Sequence, residues 1–213
     1  MANVFNPFGF RNFGHRDGMA PSMGLERRFI RSSDTNLYFT GDVVQQSSTT
    51  LGFLTTFTSA ATTPAAGVFA GCEFFQPTVG RDIWSAFFPG NIGSSATVGD
   101  VTAYIISDPE MQFIAQGSTT AVVGSSMIGF GVTVTGNSSQ GNQTTGISVQ
   151  AINTTVVALS SVSLAPFKVV DVYSNFAPPG TTNVNGTDNT VPGSILVVAA
   201  NNWDRKSLLS LST

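Results

Sequence analysis

From Asn36 onward the chain alternates short apolar runs with Gly, Asn, Ser and Pro punctuation, which is the pattern of many short strands separated by turns. The runs richest in Val, Ile, Phe, Tyr and Thr predict strands over Leu37–Val44, Gly67–Phe75, Ile83–Phe88, Val101–Ile106 and Met111–Gln116. Further strands are predicted over Met127–Thr135, Gly146–Ala151, Val156–Ser161, Phe167–Tyr173 and Ser194–Ala200. Their number and even spacing predict an all-β fold, a single β-sandwich or β-barrel domain, and not βαβ units. A turn of helix near Ala121–Ser125 is the one helical feature. Two polar stretches, 136–146 (GNSSQGNQTTG) and 177–193 (APPGTTNVNGTDNTVPG), read as long loops, the second an excursion between two paired strands. No internal repeat stands out.

Residues 1–31 read differently, as an extended arm on a body spanning 32–213. Pro7, Gly9, Gly14, Gly18, Pro21 and Gly24 preclude a stable helix there. Yet Phe5, Phe8, Phe10 and Phe13 make the segment richer in aromatics than a disordered tail. Aromatics in a segment without a core of its own predict order gained by docking on another surface.

Composition sharpens this picture. Charged residues are 10% of the chain against a typical value of roughly 25%, and hydrophobics are 41%. Ser, Thr, Asn, Gln and Gly take the place of the missing charge, which suits a protein packed against neighbours or an extracellular β protein. The net charge of −3 gives no general attraction to nucleic acid or anionic lipid. Its signs are segregated: Arg11, Arg16, Arg27, Arg28 and Arg31 lie in the arm, whereas between Ser32 and Phe167 Arg81 faces seven acids. Arginines interleaved with phenylalanines can contact phosphate and stack on bases, but Asp17, Glu26 and Asp34 dilute them, so no direct nucleic-acid partner is expected. Met1–Gly24 lacks the continuous apolar stretch of a secretory signal, and Ile195–Ala200 is too short to span a bilayer, so no membrane partner is expected either. The N-x-Ser/Thr triplets at Asn137, Asn142, Asn153 and Asn185 carry little weight in so Asn- and Thr-rich a chain. Cys72, the lone cysteine, lies in an apolar run and reads as a core residue.

The supply of catalytic groups is thin. His15 is the sole histidine, placed in the Gly-rich arm where nothing is expected to fix its tautomer. Asp108-Pro109-Glu110 reads as a turn, and Asp42, Asp82 and Asp100 as edge or turn residues. No nucleophile elbow, phosphate-binding Gly loop or EF-hand is present, and the polar loop at Thr187–Asn189 fits no calcium pattern. A non-enzymatic protein without catalytic residues, cofactor or metal is expected.

The opening Asn6-Pro7-Phe8-Gly9-Phe10-Arg11 resembles the amino-terminal signature of a family of tailed-phage head decoration proteins, which cement and stabilise capsids. Tyr38-Phe39-Thr40-Gly41-Asp42-Val43-Val44 is similar to that family's "tGD-v" segment, and Gly67-Val68-Phe69-Ala70-Gly71-Cys72-Glu73-Phe74 to its "GVFAGCEY" block. Trp84-Ser85-Ala86-Phe87-Phe88-Pro89-Gly90 resembles its aromatic segment ending in Pro, and the run from Ala103 to Gln116 its "AYV-DDP---F-iQ" block. Phe167–Tyr173, a loop, then Ser194–Val198 resembles its closing hairpin. The order is kept over nearly the whole chain. It departs at the end, where Asn201-Asn202-Trp203-Asp204 stands in place of the family's terminal "N-H" pair.

The resemblance implies a virion protein on the capsid exterior that binds the major capsid protein across subunit junctions. By analogy it implies self-association, with a homotrimer at local three-fold positions the natural form. On that reading Phe5, Phe8, Phe10 and Phe13 are expected to anchor in apolar grooves of the shell or a neighbouring copy, and Arg11, Arg16, Arg27, Arg28 and Arg31 to pair with its carboxylates. Removal of Met1–Gly24 is then expected to leave a folded body. Two alternatives stay open. One is a phage tail or receptor-contacting β protein that binds glycans. The other is a glycoside hydrolase using some of Asp82, Asp100, Asp108 and Glu110.

Overall fold

The computed structural model describes residues 5–19, 24–58, 64–118, 127–135, 141–157, 164–173 and 193–205. The fold is nearly all-β, and every strand-to-strand ladder is antiparallel. The first sheet runs β1 (Arg11–His15), β10 (Met111–Gln116), β16 (Ile195–Ala200), β15 (Phe167–Val172), β11 (Gly131–Thr135) and β14 (Ala151–Val157) in spatial order. The second runs β2 (Leu25–Ile30), β9 (Val101–Ile106), β6 (Gly67–Gln76), β4 (Val43–Gln46) and β5 (Leu54–Thr56), with β7 (Arg81–Ser85) also paired to β6. Two small ladders join them, β3 (Tyr38–Phe39) with β8 (Phe87–Phe88) and β12 (Gly141–Asn142) with β13 (Ile147–Ser148). The one described helix, α1 (Ser95–Val98), is a single turn begun by Ser94, whose side chain accepts from the Ala96 amide.

The arrangement is consistent with a sandwich, and among the described residues neither sheet closes into a barrel. The second sheet is strongly curled, however. Its outer strands touch through a parallel bridge between Phe29 and Phe53.

Two apolar clusters form the core. Strand periodicity separates them: Val43, Val68 and Ile106 point into one, while Val44, Phe69 and Ile105, their immediate neighbours, point into the other. The parts of β4, β6 and β9 nearest the first sheet are therefore apolar on both faces. Phe10, Phe113, Phe167 and Trp203 meet in the larger cluster, with Phe10 stacked on Phe167 at 4.6 Å and 15°, and Trp203 5.7 Å from both Phe113 and Phe167. Cys72 is buried in the smaller cluster, and that burial raises its thiol pKa.

Residues 5–19 and 24–31 are not an arm set apart from the body. β1 pairs with β10 from Arg11↔Ile114 to His15↔Met111, and β2 pairs with β9 from Leu25↔Ile106 to Ile30↔Val101. The N-terminal segment thus supplies an outer strand to each sheet. Gly9, at φ 71°, allows the close crossing that leads into β1, since a Cβ there would lie 2.7 Å from that of Ser148.

β9 and β10 match their expected runs residue for residue, whereas β14 crosses the gap expected between Gly146–Ala151 and Val156–Ser161, and β5 falls where no strand is expected. The run over Leu37–Val44 divides into β3 and β4, because the Asp42 carboxylate accepts the Phe39 amide at 2.8 Å and closes a turn at Gly41. The run over Ile83–Phe88 divides at Ala86, where Thr40 donates to the carbonyl. The helical turn at Ala121–Ser125 and residues 177–192 of the second polar loop lie outside the described residues, as do 136–140 of the first.

Candidate interaction surface

The alternation that buries Val101, Ala103 and Ile105 of β9 turns Thr102 and Tyr104 outward. In β2 the same period leaves Leu25, Arg27 and Phe29 exposed and buries Ile30. In β7 it packs Ile83 against the core and leaves Trp84 64% exposed. The ladders put these outward residues in rows. Phe29 lies opposite Thr102, Thr102 opposite Glu73, and Glu73 opposite Trp84, a line across four strands. At about 4.8 Å per strand step it is roughly 14 Å long. The adjacent row is Arg27, Tyr104 and Gly71.

Gly71 explains how the exposed indole is held. Its φ of 146° and the register shift beside it mark a bulge in β6, and a Cβ at this position would lie 2.8 Å from Trp84 Cζ2. The indole therefore rests on bare backbone. Beside it, the Tyr104 hydroxyl donates to Glu73 Oε2 at 3.1 Å, and this hydrogen bond is the main cause of an upward shift in the tyrosine pKa. Tryptophan, tyrosine, phenylalanine and arginine are the residues most enriched at protein interface cores.

The arm residues expected to bind a partner divide into three groups. Phe10 is 2% exposed within the chain's own core, so it is not available as an external anchor. Phe8 is half-buried, and its carbonyl accepts from Arg11 Nε at 3.2 Å; Arg11 is itself half-buried, which lowers its pKa. Arg28 lies 2.8 Å from Glu26 on the inward side of β2, a close ion pair whose Nε–H is not aligned for a hydrogen bond. Glu26 also reaches Arg205 at 3.4 Å and accepts from Ser107 Oγ at 2.6 Å, so Arg28 belongs to an internal network.

The second group faces outward. Phe5 is 45% and Phe13 48% exposed, the latter edge-on to Tyr173 at 6.0 Å. Arg16 pairs loosely with Glu110 at 3.6 Å, and Arg27 is exposed among the aromatic rows. Arg31 stands apart, its guanidinium 5.2 Å above the ring of Phe53.

His15 is not without orientation, contrary to the sequence expectation. Its Nδ1 accepts from the Asp17 amide at 3.4 Å, and Nε2 lies 3.6 Å from Asp108 Oδ2. Asp108 Oδ1 in turn accepts the Glu110 amide, which makes Asp108-Pro109-Glu110 the turn between β9 and β10. Asp82 lies across the ladder from Phe75 on β7, away from that turn. Among the described residues, no group of three or more His, Cys, Asp and Glu is placed to hold a metal ion, and no helix is long and apolar enough to cross a membrane.

Sequence reasoning missed Trp84, Tyr104 and Glu73 as surface residues. The available signal was the period of β7 and β9, which places Trp84 and Tyr104 opposite in sense to Ile83 and Ile105. The chain matches no protein-family model, no curated protein and no solved structure.

Proposed function

We propose that this chain is a non-enzymatic structural protein of a virion, which binds the outer surface of a tailed-phage capsid and cements adjacent major capsid subunits. The observation that carries the reading is the exposed aromatic and arginine face of the second sheet. A tryptophan offers about 150–250 Å² of contact area, so covering the exposed part of Trp84 at about 25 cal/mol per Å² contributes roughly 3 kcal/mol. Tyr104, Phe29 and Leu25 extend that apolar area, while Arg27 can pair with a carboxylate of the shell. Phe5, Phe13 and Arg16 offer a second contact point on the N-terminal segment. Two modest surfaces joined through one rigid body bind far more tightly than either alone. The order of motifs along the sequence adds independent support, and a homotrimer remains the form that analogy suggests.

The test is co-sedimentation of the purified chain with undecorated expanded shells, counting copies bound per shell subunit. Saturation at a fixed simple ratio is expected for the wild type and for Leu51→Ser, an exposed residue outside the aromatic rows. Trp84→Ala and Arg27→Glu are expected to lose most of the binding while melting normally. No saturable binding by the folded wild-type protein overturns the proposal.

A further inference from the structure

A cavity of about 320 Å³ opens where the curled second sheet brings β2 towards β5, and its walls are hydrophilic. Of its lining, Ser33, Thr35, Ser47, Thr49, Thr50 and Thr55 carry hydroxyls, Asn36 an amide, and Arg31 a guanidinium. Phe53 supplies an aromatic ring beneath the guanidinium. The size suits a small organic ligand, at the lower end of the usual range for such pockets.

The walls are pre-arranged. Asp34 Oδ1 accepts from the amide and side chain of Asn36 at 2.9 and 2.8 Å, and Oδ2 accepts from the Tyr38 hydroxyl at 2.5 Å. Ser47 Oγ lies 3.2 Å from Thr49 Oγ1 and accepts the Thr50 amide at 3.0 Å. The backbone of the Arg31–Asp34 turn is clamped from outside, as the Asn91 amide donates to Asp34 O and the Ile92 amide to Ser32 O. Holding groups in place before a ligand arrives reduces the entropy lost on binding.

Two features define the ligand. Among the described residues, no carboxylate lies within 4.0 Å of Arg31, so its forked donors are not consumed by an ion pair. Asp34, the acid of the cavity, is turned to Asn36 and Tyr38, from which it accepts three hydrogen bonds, and forms no ion pair with Arg31. The surrounding hydroxyls can each donate and accept, which matches a ligand bearing several hydroxyls of its own. We propose that this cavity binds a carboxylate-bearing saccharide unit, with Arg31, held above the Phe53 ring, pairing to the carboxylate and the Ser and Thr hydroxyls bonding to the ring hydroxyls. The site adjoins the aromatic row at Phe29, which bridges to Phe53 of the cavity wall.

Calorimetric titration of the full chain with glucuronate, glucose and acetate tests the assignment. Saturable binding of one glucuronate per chain is expected, with glucose and acetate each weaker by about tenfold or more, because each carries half of the recognised chemistry. Arg31→Gln should weaken glucuronate binding by about tenfold or more without changing the melting temperature. Thr50→Val, which removes one hydroxyl from the wall, should weaken it several-fold and stands in should Arg31→Gln misfold. Absence of saturable glucuronate binding, equal binding of glucose, or indifference to both substitutions overturns the proposal.

Discussion

Phe10 decides whether the N-terminal segment belongs to the body. Its ring is 2% exposed and stacks on Phe167 at 4.6 Å, within a cluster that includes Phe113 and Trp203. Phe10→Ala removes that ring from a core that cannot fully collapse around the gap, which costs about 3–5 kcal/mol, with the lost stacking included. A chain of 213 residues loses roughly 2–4 °C of Tm per kcal/mol, so a fall of roughly 6–20 °C is expected if the segment unfolds with the rest. Phe13→Ala is the internal comparison, because Phe13 is 48% exposed and lies edge-on to Tyr173, and it should cost about 1 kcal/mol or less. Denaturant unfolding followed by circular dichroism and by the fluorescence of buried Trp203 gives both values. Amide exchange along the Arg11↔Ile114 and His15↔Met111 pairing reports whether β1 opens first. Equal, small losses for Phe10→Ala and Phe13→Ala, with exchange in β1 unchanged, would refute the placement of Phe10 in the core.

Asp42 should make stability depend on pH in an unusual direction. Burial pushes its carboxyl up to about 8 against the opposing hydrogen bonds from Ser148 and the Phe39 amide, while in the unfolded chain it titrates near 3.9. The folded state therefore holds the extra proton, and stability falls as pH rises from about 4 to about 8, by on the order of a few kcal/mol. Asp42→Asn should flatten that decline, so wild type and variant running parallel between these limits would contradict it. Gly71→Ala should lift the indole off β6, because the added Cβ would sit 2.8 Å from Trp84 Cζ2. Higher iodide quenching of Trp84 and a lower Tm are expected, and unchanged quenching would show that the indole does not rest on Gly71.

The sequence disclosed most where pattern and punctuation agreed. β9 and β10 are legible because Asp108-Pro109-Glu110 separates two clean runs, and the antiparallel all-β class follows from many such cases. Phe10 was misjudged for a physical reason. A phenylalanine among Gly and Pro marks a segment without its own core, but composition does not say whose core receives it. Trp84 was hidden inside an apolar run, where only the side-to-side period distinguishes it from Ile83. The cavity at Arg31 was unreadable because β5 lies in a Thr-rich stretch with no strong strand pattern, and its apposition to β2 arises from sheet curl. Asp42 was legible as a turn former but not as a buried acid, since its burial comes from Ser148, more than a hundred residues away in sequence.

The bulge between Asn12 and Gly14 in β1 bears on solubility. A sheet border with free amides and carbonyls invites pairing with another molecule, and chains usually deter this with lysines or other charges. With charged residues at 10%, this chain has few to spend on that defence. A short, kinked strand laid along β10 occupies its bonding groups and offers a poor template beyond itself. Truncation of the first 24 residues would strip that guard and unseat Phe10 together, so aggregation, not a soluble body that has lost its partner, is the expected result.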